Sequence, residues 1–191
     1  MSRQGLSKAR IIREAVRLIE EKGLSQFSMA ELAQQLQIKT ASLYNHVTNV
    51  EEVLVTVGIH AITQLSAAEY KAIEGKRTDE ALFALADAYR AFAREHYQLY
   101  RVIMGYSRQN NILEIEAGDI VQPILRVLST YGLSETQCFH WQRVLRGVMV
   151  GFALHEQAGG FSRFPVDENE SYTIAIQCVA EGIRRAGEGN V

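Results

Sequence analysis

The segment SMAELAQQLQIKTASLYNHV, residues 28–47, contains two short helical patterns in close succession. It opens with Ser-x-x-Glu, a motif in which the serine side chain caps the helix that follows it. Met29, Leu32 and Leu36 then recur at helical spacing. Only residues 36–38 separate this pattern from the next one. The spacing predicts two short helices that are joined by a tight turn.

The second pattern, residues 38–47, has one apolar side and one side of small or hydrogen-bonding residues. Ile38, Leu43 and Val47 form the apolar side and are expected to hold the segment against neighbouring helices. The small residues 40–42 keep its N-terminal end slim, and their hydroxyl and methyl groups suit base edges in a major groove. Residues 44–46 supply donors that reach phosphates. The pattern therefore indicates a helix that enters the major groove of DNA.

Most of the remaining chain also repeats apolar residues at helical spacing. Asn49 and Ser134 stand where helices are expected to begin and are predicted N-caps. The chain has only two prolines, which disfavours a turn-rich β fold. The patterns predict an all-α protein of about nine helices: a three-helix DNA-binding head with a helix-turn-helix over residues 1–49, a connecting helix over 50–73, and a larger regulatory and dimerisation body over 74–191.

The charge of the chain is distributed unevenly between its two ends. The 191 residues carry a net charge of −2, but residues 1–50 hold seven Lys or Arg and four Glu, which gives +3. The other 141 residues therefore carry −5. A basic head on an acidic body favours a polyanionic partner for the head, although a solvated basic helix face would have the same charge.

The sequence lacks the residue patterns of several other functions. We find no metal-ligand spacing, Gly-rich phosphate loop or nucleophile–base pair, so we predict no enzyme activity, no metal and no cofactor. Cys138 and Cys178 are far apart and predict two small buried residues in a reducing compartment, with a thiol sensor as the alternative. The absence of an apolar leader and of an 18-residue apolar stretch predicts a cytoplasmic protein without a membrane partner.

Residues 15–54, AVRLIEEKGLSQFSMAELAQQLQIKTASLYNHVTNVEEVL, resemble the head of the TetR family of bacterial transcriptional repressors. The match includes Glu-x-Gly at 21–23, Leu-Tyr-x-His at 43–46 and EEVL at 51–54. The resemblance implies a helix-turn-helix that binds double-stranded DNA. The candidate DNA-contacting residues are Ser28, Met29, Lys39, Thr40, Ala41, Ser42, Tyr44, Asn45 and His46.

The chain departs from the family pattern at four positions. Gln37 stands where the turn usually has glycine, which predicts either a positive φ for a non-glycine residue or a slightly different turn. Lys39 replaces the usual Ser or Thr cap and adds a charge near the DNA backbone. Val47 replaces an aromatic residue, and Val50 replaces a lysine, so that one phosphate contact of the family is expected to be missing.

The body also resembles the family. Residues 145–161, LRGVMVGFALHEQAGGF, are similar to the Trp-His-Gly type of TetR C-terminal domain, with Val150 in place of the usual histidine. This resemblance implies a homodimer that forms a four-helix bundle through the last two long helices, a palindromic operator and a small-molecule effector. The candidate effector-binding cluster, for which a packed core is the alternative, comprises Tyr89, Phe92, Tyr97, Tyr100, Met104, Tyr106, Trp141, Leu145 and Phe152.

Together, these patterns predict a sequence-specific DNA-binding transcriptional regulator that acts as a ligand-responsive repressor. An orphan regulator without a small-molecule effector, or one that activates transcription, is the nearest alternative. An all-helical enzyme is the alternative from another class, because helical enzymes can scatter their catalytic residues along the chain. A purely structural helical scaffold would leave the small polar residues 39–46 unexplained.

Overall fold

The computed structural model describes residues 6–106 and 112–189, without the side chains of residues 106 and 112–119. This part of the chain forms nine α-helices, two short 3-10 helices and no strand, which confirms the predicted all-α fold. None of the described helices is both long and apolar enough to cross a lipid bilayer. The α-helices are α1 (Lys8–Lys22), α2 (Met29–Gln35), α3 (Thr40–Leu43), α4 (Val50–Ile73), α5 (Thr78–Glu95), α6 (Tyr97–Tyr106), α7 (Ile112–Leu128), α8 (Glu135–Gln157) and α9 (Glu168–Glu188).

The helices begin where the sequence places capping side chains. Ser28 Oγ accepts a hydrogen bond from the Glu31 backbone N–H at 3.1 Å at the start of α2. Asn49 Oδ1 accepts one from Glu52 at 2.8 Å at the start of α4. Ser134 caps α8 in a reciprocal capping box with Gln137. Each cap satisfies a backbone donor that the helix itself leaves unpaired, and all three predicted caps are confirmed.

The first compact unit comprises Met1–Ile62 and His96–Ile115, and so includes α1–α3, the first half of α4 and α6. Its interior is formed by apolar residues that are almost fully buried, among them Leu18, Leu32 and Leu43. Helix α6 packs against α1, and Gln98 Oε1 accepts a hydrogen bond from the Leu24 N–H at 3.2 Å. Although α6 lies within residues 74–191 of the sequence, its contacts therefore connect it to the head.

The second compact unit comprises Thr63–Glu95 and Glu116–Val191. Helices α5, α8 and α9 pack against one another in this unit. Leu85, Leu145 and Ile183 are fully buried, one from each of these helices. The chain passes between the units three times: inside α4, after residue 62; between α5 and α6, after residue 95; and inside α7, after residue 115.

A buried ion pair links α5 to α8 in the second unit. Arg90 Nη2 donates a hydrogen bond to Glu156 Oε1 at 2.7 Å, and Arg90 Nε donates one to Glu156 Oε2 at 3.1 Å. The guanidinium carbon also lies 4.6 Å from the ring centroid of Tyr172 on α9. Burial raises the pKa of Glu156, but hydrogen bonds from Arg90 and Arg94 outweigh that effect and bring its pKa to about 2. The pair therefore stays ionised throughout the physiological range.

The two cysteines differ in their exposure to solvent. Cys138 is buried as predicted, but Cys178 is exposed, so the prediction of two buried cysteines is wrong for Cys178. Cys178 lies on the side of α9 opposite the buried residues Ile176 and Val179 and is exposed. Helix α7 contains Pro123 and continues through it.

We expect Glu156→Gln to lower the free energy of unfolding by about 3 kcal/mol, because it leaves the Arg90 charge buried without a counter-charge. Glu21→Gln, which removes an exposed ion pair with Arg17, is the control and should leave the free energy of unfolding nearly unchanged. Urea unfolding at pH 7 measures both changes.

The pH dependence of the same variants gives a second test. The Glu156 pKa is lowered from 4.5 to about 2 in the folded state, so its contribution is complete above pH 4.5 and is lost as the pH falls towards 2. The difference between wild type and Glu156→Gln should therefore narrow across that range. A difference that stays constant down to pH 2 would contradict this account of the ion pair.

Candidate nucleic-acid interface

A tight turn joins α2 to α3, and its hydrogen bonds define its shape. The Ile38 N–H donates to the Ala33 carbonyl and the Gln37 N–H donates to the Gln34 carbonyl, both at 3.0 Å. These two bonds form a Schellman motif, which requires a left-handed residue just after the helix. Gln37 occupies that position with φ of +56°, which confirms the positive φ predicted for it. Because the motif fixes the exit from α2, it sets the direction in which α3 begins.

Helix α3 is short. It spans only Thr40–Leu43, and a turn follows in which the N–H groups of His46 and Val47 donate to the Leu43 carbonyl. Lys39 is the N-cap, and its side chain makes no capping hydrogen bond, as expected for a lysine at this position. The helix predicted from the pattern at 38–47 is therefore one helical turn plus a hydrogen-bonded turn.

Residues 39–46, here called the recognition segment, have their apolar member inside and their polar members outside. Leu43 is fully buried and Val47, just beyond the segment, is 3% exposed, and these two side chains hold the segment in place. Tyr44 is 51% exposed. Lys39, Ala41, Asn45 and His46 are also exposed, and Thr40 and Ser42 are partly exposed. The structure thus presents a slim polar surface of the size that fits a groove.

The two candidates at the start of α2 differ in their exposure. Ser28 is exposed, and its hydroxyl oxygen is the acceptor for the cap of α2. Met29 is only 8% exposed, so its side chain belongs to the interior of the first unit and is not displayed beside the recognition segment. Any contact of Met29 with DNA would therefore involve its backbone N–H, which lies in the first turn of α2.

The basic residues of the head differ in whether an acid already neutralises them. Lys8 pairs with Glu52 at 2.5 Å, and Lys22 pairs with Glu31. The hydrogen bond from Lys8, together with one from Thr48, lowers the pKa of Glu52 to about 2, so that Glu52 remains an anion. Lys39 forms no ion pair with any residue that the structure describes. Its charge is therefore available to a phosphate beside the recognition segment.

The contacts between α6 and α1 were not evident from the sequence. His96, just before α6, has Nδ1 2.7 Å from Glu20 Oε1 on α1. Together with the Gln98 contact described above, this contact places the start of α6 against the end of α1 in the first unit. Helical periodicity identifies which side of α6 is apolar, but it does not indicate which helix that side meets. For this reason the sequence offered no signal for the pairing.

The candidate effector-binding residues are distributed over both units. Tyr97, Tyr100 and Met104 lie in the first unit, and Tyr106 has no described side chain. In the second unit, Tyr89, Phe92 and Leu145 are buried, and Trp141 packs on Gly182 of α9. The ring centroid of Phe152 lies 4.9 Å from that of Tyr172 and 4.6 Å from that of Phe161. Within the second unit, the structure thus gathers Phe152 into an aromatic group around Arg90.

In the part of the chain that the structure describes, two rows of residues on the last two long helices are exposed or partly exposed. The α8 stripe has heptad spacing and consists of His140, Val144, Gly147, Gly151 and Leu154. Val144 and Leu154 are 45% and 42% exposed, and a Cβ on either glycine would meet nothing within 4 Å. The α9 stripe consists of Ser171, Ile174, Cys178 and Glu181, of which Ile174 is 53% exposed.

Comparison with known families and proteins agrees with this architecture. Residues 11–61 match the family described as bacterial regulatory proteins, tetR family, and residues 82–179 match the tetracyclin repressor-like C-terminal domain. The chain is 28% identical over 182 residues to the HTH-type transcriptional regulator Rv0681 of Mycobacterium tuberculosis, covering 94% of this chain and 83% of that protein. It is 26% identical over 182 residues to the HTH-type regulator YobS of Bacillus subtilis, covering 95% and 94%.

Solved structures show the same fold. Apo ActR of Streptomyces coelicolor superposes with a TM-score of 0.73 at 17% identity over 100% of both chains. ActR in complex with actinorhodin superposes with a TM-score of 0.70 at 17% identity, covering 96% of this chain and 99% of ActR. A protein from Rhodococcus sp. RHA1 gives a TM-score of 0.78 at 19% identity, covering 94% and 96%. At these identities, the likeness establishes the fold alone.

We expect Gln37→Gly to stabilise the first unit by about 0.5–1 kcal/mol, because glycine adopts the left-handed conformation without the Cβ penalty. Gln34→Gly, at an exposed position inside α2, is the matched control and should destabilise by about 1 kcal/mol. The midpoints of urea unfolding measure both effects. If both variants were destabilised equally, the turn would not carry the strain that its φ implies.

Proposed function

We propose, from the premise that this chain belongs to the TetR family of bacterial regulatory proteins, that it is a ligand-responsive repressor that acts as a homodimer on a palindromic operator. As a member of that family, it is a sequence-specific DNA-binding transcriptional regulator and not an enzyme. The observation that carries the proposal is the outward-facing recognition segment on a helix-turn-helix. Because the bacterial chromosome lies in the cytoplasm, we place the protein there.

We assign some residues of the recognition segment to base contacts and others to phosphate contacts. We assign base contacts to Thr40, Ala41 and Ser42, whose short side chains allow α3 to lie deep in a major groove. Tyr44, Asn45 and His46 follow in the turn, at the edge of the segment, and are assigned to phosphates together with Lys39 and Ser28. The contribution of Met29 is limited to its backbone N–H, because its side chain is buried.

A second copy of the chain is needed for specific binding. A four-residue helix contacts only a few base pairs, and a two-fold pair of heads doubles those contacts on a palindrome. We propose that the α8 and α9 stripes of two chains pack together as a four-helix bundle. The heptad spacing, the exposed Val144, Leu154 and Ile174, and the open glycines of α8 support this arrangement, since small residues allow helices to approach closely.

The body, residues 74–191, is proposed to bind a small-molecule effector that lowers the affinity for the operator. The fold is shared with ActR, which has been solved in complex with actinorhodin and with (S)-DNPA. An effector can act only through its different affinity for the two states of the dimer. A preference of about 100-fold corresponds to about 2.7 kcal/mol. Helix α4, which continues from the head at 1–49 into the second unit, is the proposed connection.

We expect Lys39→Ala to weaken binding to every duplex, because it removes a phosphate contact. The dimer carries two copies of Lys39, so the slope of log K against log salt concentration should become shallower by about two. Lys71→Ala, which removes an exposed charge near the end of α4, is the matched control and should leave the slope unchanged. Fluorescence anisotropy with a selected operator and with an unrelated duplex measures both.

Residues that contact bases and residues that contact phosphates should differ in a sequence-selection experiment. Thr40→Ala and Ser42→Ala should change which sequence is selected from a random pool, with about 1–3 kcal/mol for each altered contact. Tyr44→Ala and His46→Ala should lower affinity for all sequences and leave the selected motif intact. An identical selected motif for all four variants would remove Thr40 and Ser42 from the base-contacting set.

We expect Gly147→Glu to convert the dimer to a monomer, because it places a charge and a long side chain in the centre of the α8 stripe. The dimer dissociation constant should rise at least 100-fold, or about 2.7 kcal/mol, in sedimentation measurements. Gly105→Glu, at an open exposed position on α6, is the control. Circular dichroism verifies that both variants fold. A folded Gly147→Glu protein that remains dimeric would place the interface elsewhere.

A further inference from the structure

Among the residues of the second unit that the structure describes, three side-chain oxygens are buried without a hydrogen-bond partner. They are both carboxyl oxygens of Glu69 on α4 and Oε1 of Gln142 on α8. Glu69 is 0% exposed, and none of the residues that the structure describes donates to it. A buried polar group without a partner is costly and rare in native proteins, and a buried acid is more costly than an amide. These oxygens therefore require an explanation beyond packing.

The position of Glu69 on α4 indicates that its carboxyl group does not stabilise the fold. Leu65 and Ile73 lie one turn before and one turn after it, and both are buried. Glu69 thus occupies the central position of an apolar row on α4. A leucine in that position would bury apolar surface at no polar cost. Retention of a carboxyl group there is better explained by something that the carboxyl group binds.

Arg146 on α8 relates the position of Gln142 to that of Glu69. Arg146, which follows Gln142 by one turn on α8, is close enough to lower the pKa of Glu69 by charge attraction, although it forms no ion pair with it among the described residues. Residues four apart on a helix lie on one side of it, so Gln142 shares that side with Arg146. The charge of Glu69 also acts on the hydroxyl of Tyr172 on α9.

Desolvation determines the protonation state of Glu69. Burial raises its pKa to about 8, and the attraction of Arg146 offsets only part of that effect. The carboxyl group is therefore mainly neutral at pH 7. Arg146 on α8 is the charged group that changes the pKa of Glu69. Glu69 in turn interacts electrostatically with Tyr172 on α9. The other charged groups that change the pKa of Tyr172 are Asp87 and Arg90 on α5 and Glu156 on α8. Arg90 is already paired with Glu156, so it supplies no free counter-charge.

We propose that Glu69 and Gln142 form the polar end of the effector site, and that the effector is an organic cation with N–H donors, such as a protonated amine or an amidinium. This inference rests on the proposed function, in which the body binds an effector. A carboxylate accepts two parallel N–H bonds from an amidinium, and the Gln142 oxygen accepts a further one. A neutral ligand, in contrast, supplies no charge that would stabilise the carboxylate form of Glu69.

Binding of such a cation changes both the protonation and the packing of the site. The cation stabilises the carboxylate, so the Glu69 proton is released to solvent as the complex forms. Because the carboxyl oxygens are closed off from solvent, the cation enters only when the interior around Glu69 opens. The effector thus selects an opened body, and Glu69 lies on α4, the helix whose other end follows the recognition segment.

Calorimetry with defined probes tests this inference on the full chain at pH 8. The probes are benzamidine and benzylamine as cations and benzamide as the neutral counterpart of benzamidine. At least one cation should bind wild type, and Glu69→Gln should weaken that binding at least tenfold. Glu74→Gln, which removes an exposed acid just beyond α4, is the matched control and should bind as wild type does. Benzamide should bind none of the three proteins.

The pH dependence distinguishes a carboxylate site from a merely apolar one. Between pH 8 and pH 6, the ionised fraction of a group with a pKa of about 8 falls from about one half to about one hundredth, so cation affinity should fall about 50-fold. At pH 7, binding should release about 0.9 proton, which appears as a dependence of the measured heat on the buffer. Both signatures should be absent in Glu69→Gln.

Two outcomes would overturn the inference. One is that neither cation binds wild type at millimolar concentration, and the other is that both bind Glu69→Gln as tightly as wild type. In either case Glu69 is a buried acid that binds no cation. Its ionisation then remains visible as a loss of wild-type stability relative to Glu69→Gln as the pH rises from 4.5 to 8, because the folded state holds the extra proton there.

Operator binding separates failure of this inference from failure of the proposed function. A protein that binds a selected operator but no cation retains its role as a regulator and loses only the assigned effector class. A protein that selects no operator from genomic DNA fails as the proposed repressor, whatever cation it binds. Release of the operator by benzamidine from wild type, but not from Glu69→Gln, supports both.

Discussion

The burial of Leu43 and Val47 is the constraint on which the DNA-binding surface depends. The two residues are four apart, so their burial fixes the rotation of the recognition segment and leaves residues 40–42 and 44–46 towards solvent. A helix of four residues is not stable by itself, because the conformational entropy lost in forming the first turn exceeds the stabilisation from its hydrogen bond. Burial of a leucine side chain, worth about 2 kcal/mol, supplies what the short helix lacks.

Much of this head could be predicted from sequence because the signals that define it are local. The caps at Ser28 and Asn49 and the left-handed Gln37 each act within a few residues of their own position. The association of α6 with α1 could not be predicted, since an amphipathic pattern identifies an apolar side but not its partner. The length of α3 was overestimated, because the apolar spacing at 43 and 47 continues unchanged through a hydrogen-bonded turn.

The body was less predictable for a related reason. Aromatic residues at helical spacing have the same pattern whether they fill a core or line a cavity, so Tyr89 and Phe152 could not be assigned from periodicity. An isolated acid such as Glu69 resembles a surface residue in sequence, and only its neighbours reveal that it is buried. Cys178 was predicted to be buried, because small apolar residues usually are, and it is instead exposed on α9.

Two carboxyl groups of the second unit show how different environments give one residue type two roles. Glu156 is surrounded by guanidinium donors, and its pKa falls to about 2. Glu69 has no donor among the described residues, and its pKa rises to about 8. The first is a fixed charge that joins α5 to α8, and changes of pH near neutrality do not affect it. The second is a neutral group that a suitable ligand would ionise.

The exposure of Thr40 and Ser42 has an evolutionary consequence. Neither side chain belongs to the hydrophobic interior, and the residues that hold α3 in place are Leu43 and Val47. Single codon changes at 40 and 42 therefore leave the scaffold intact, and under the base contacts proposed for these residues they would alter which promoter is bound. A gene duplicate of this chain can acquire new target genes without first passing through an unstable intermediate.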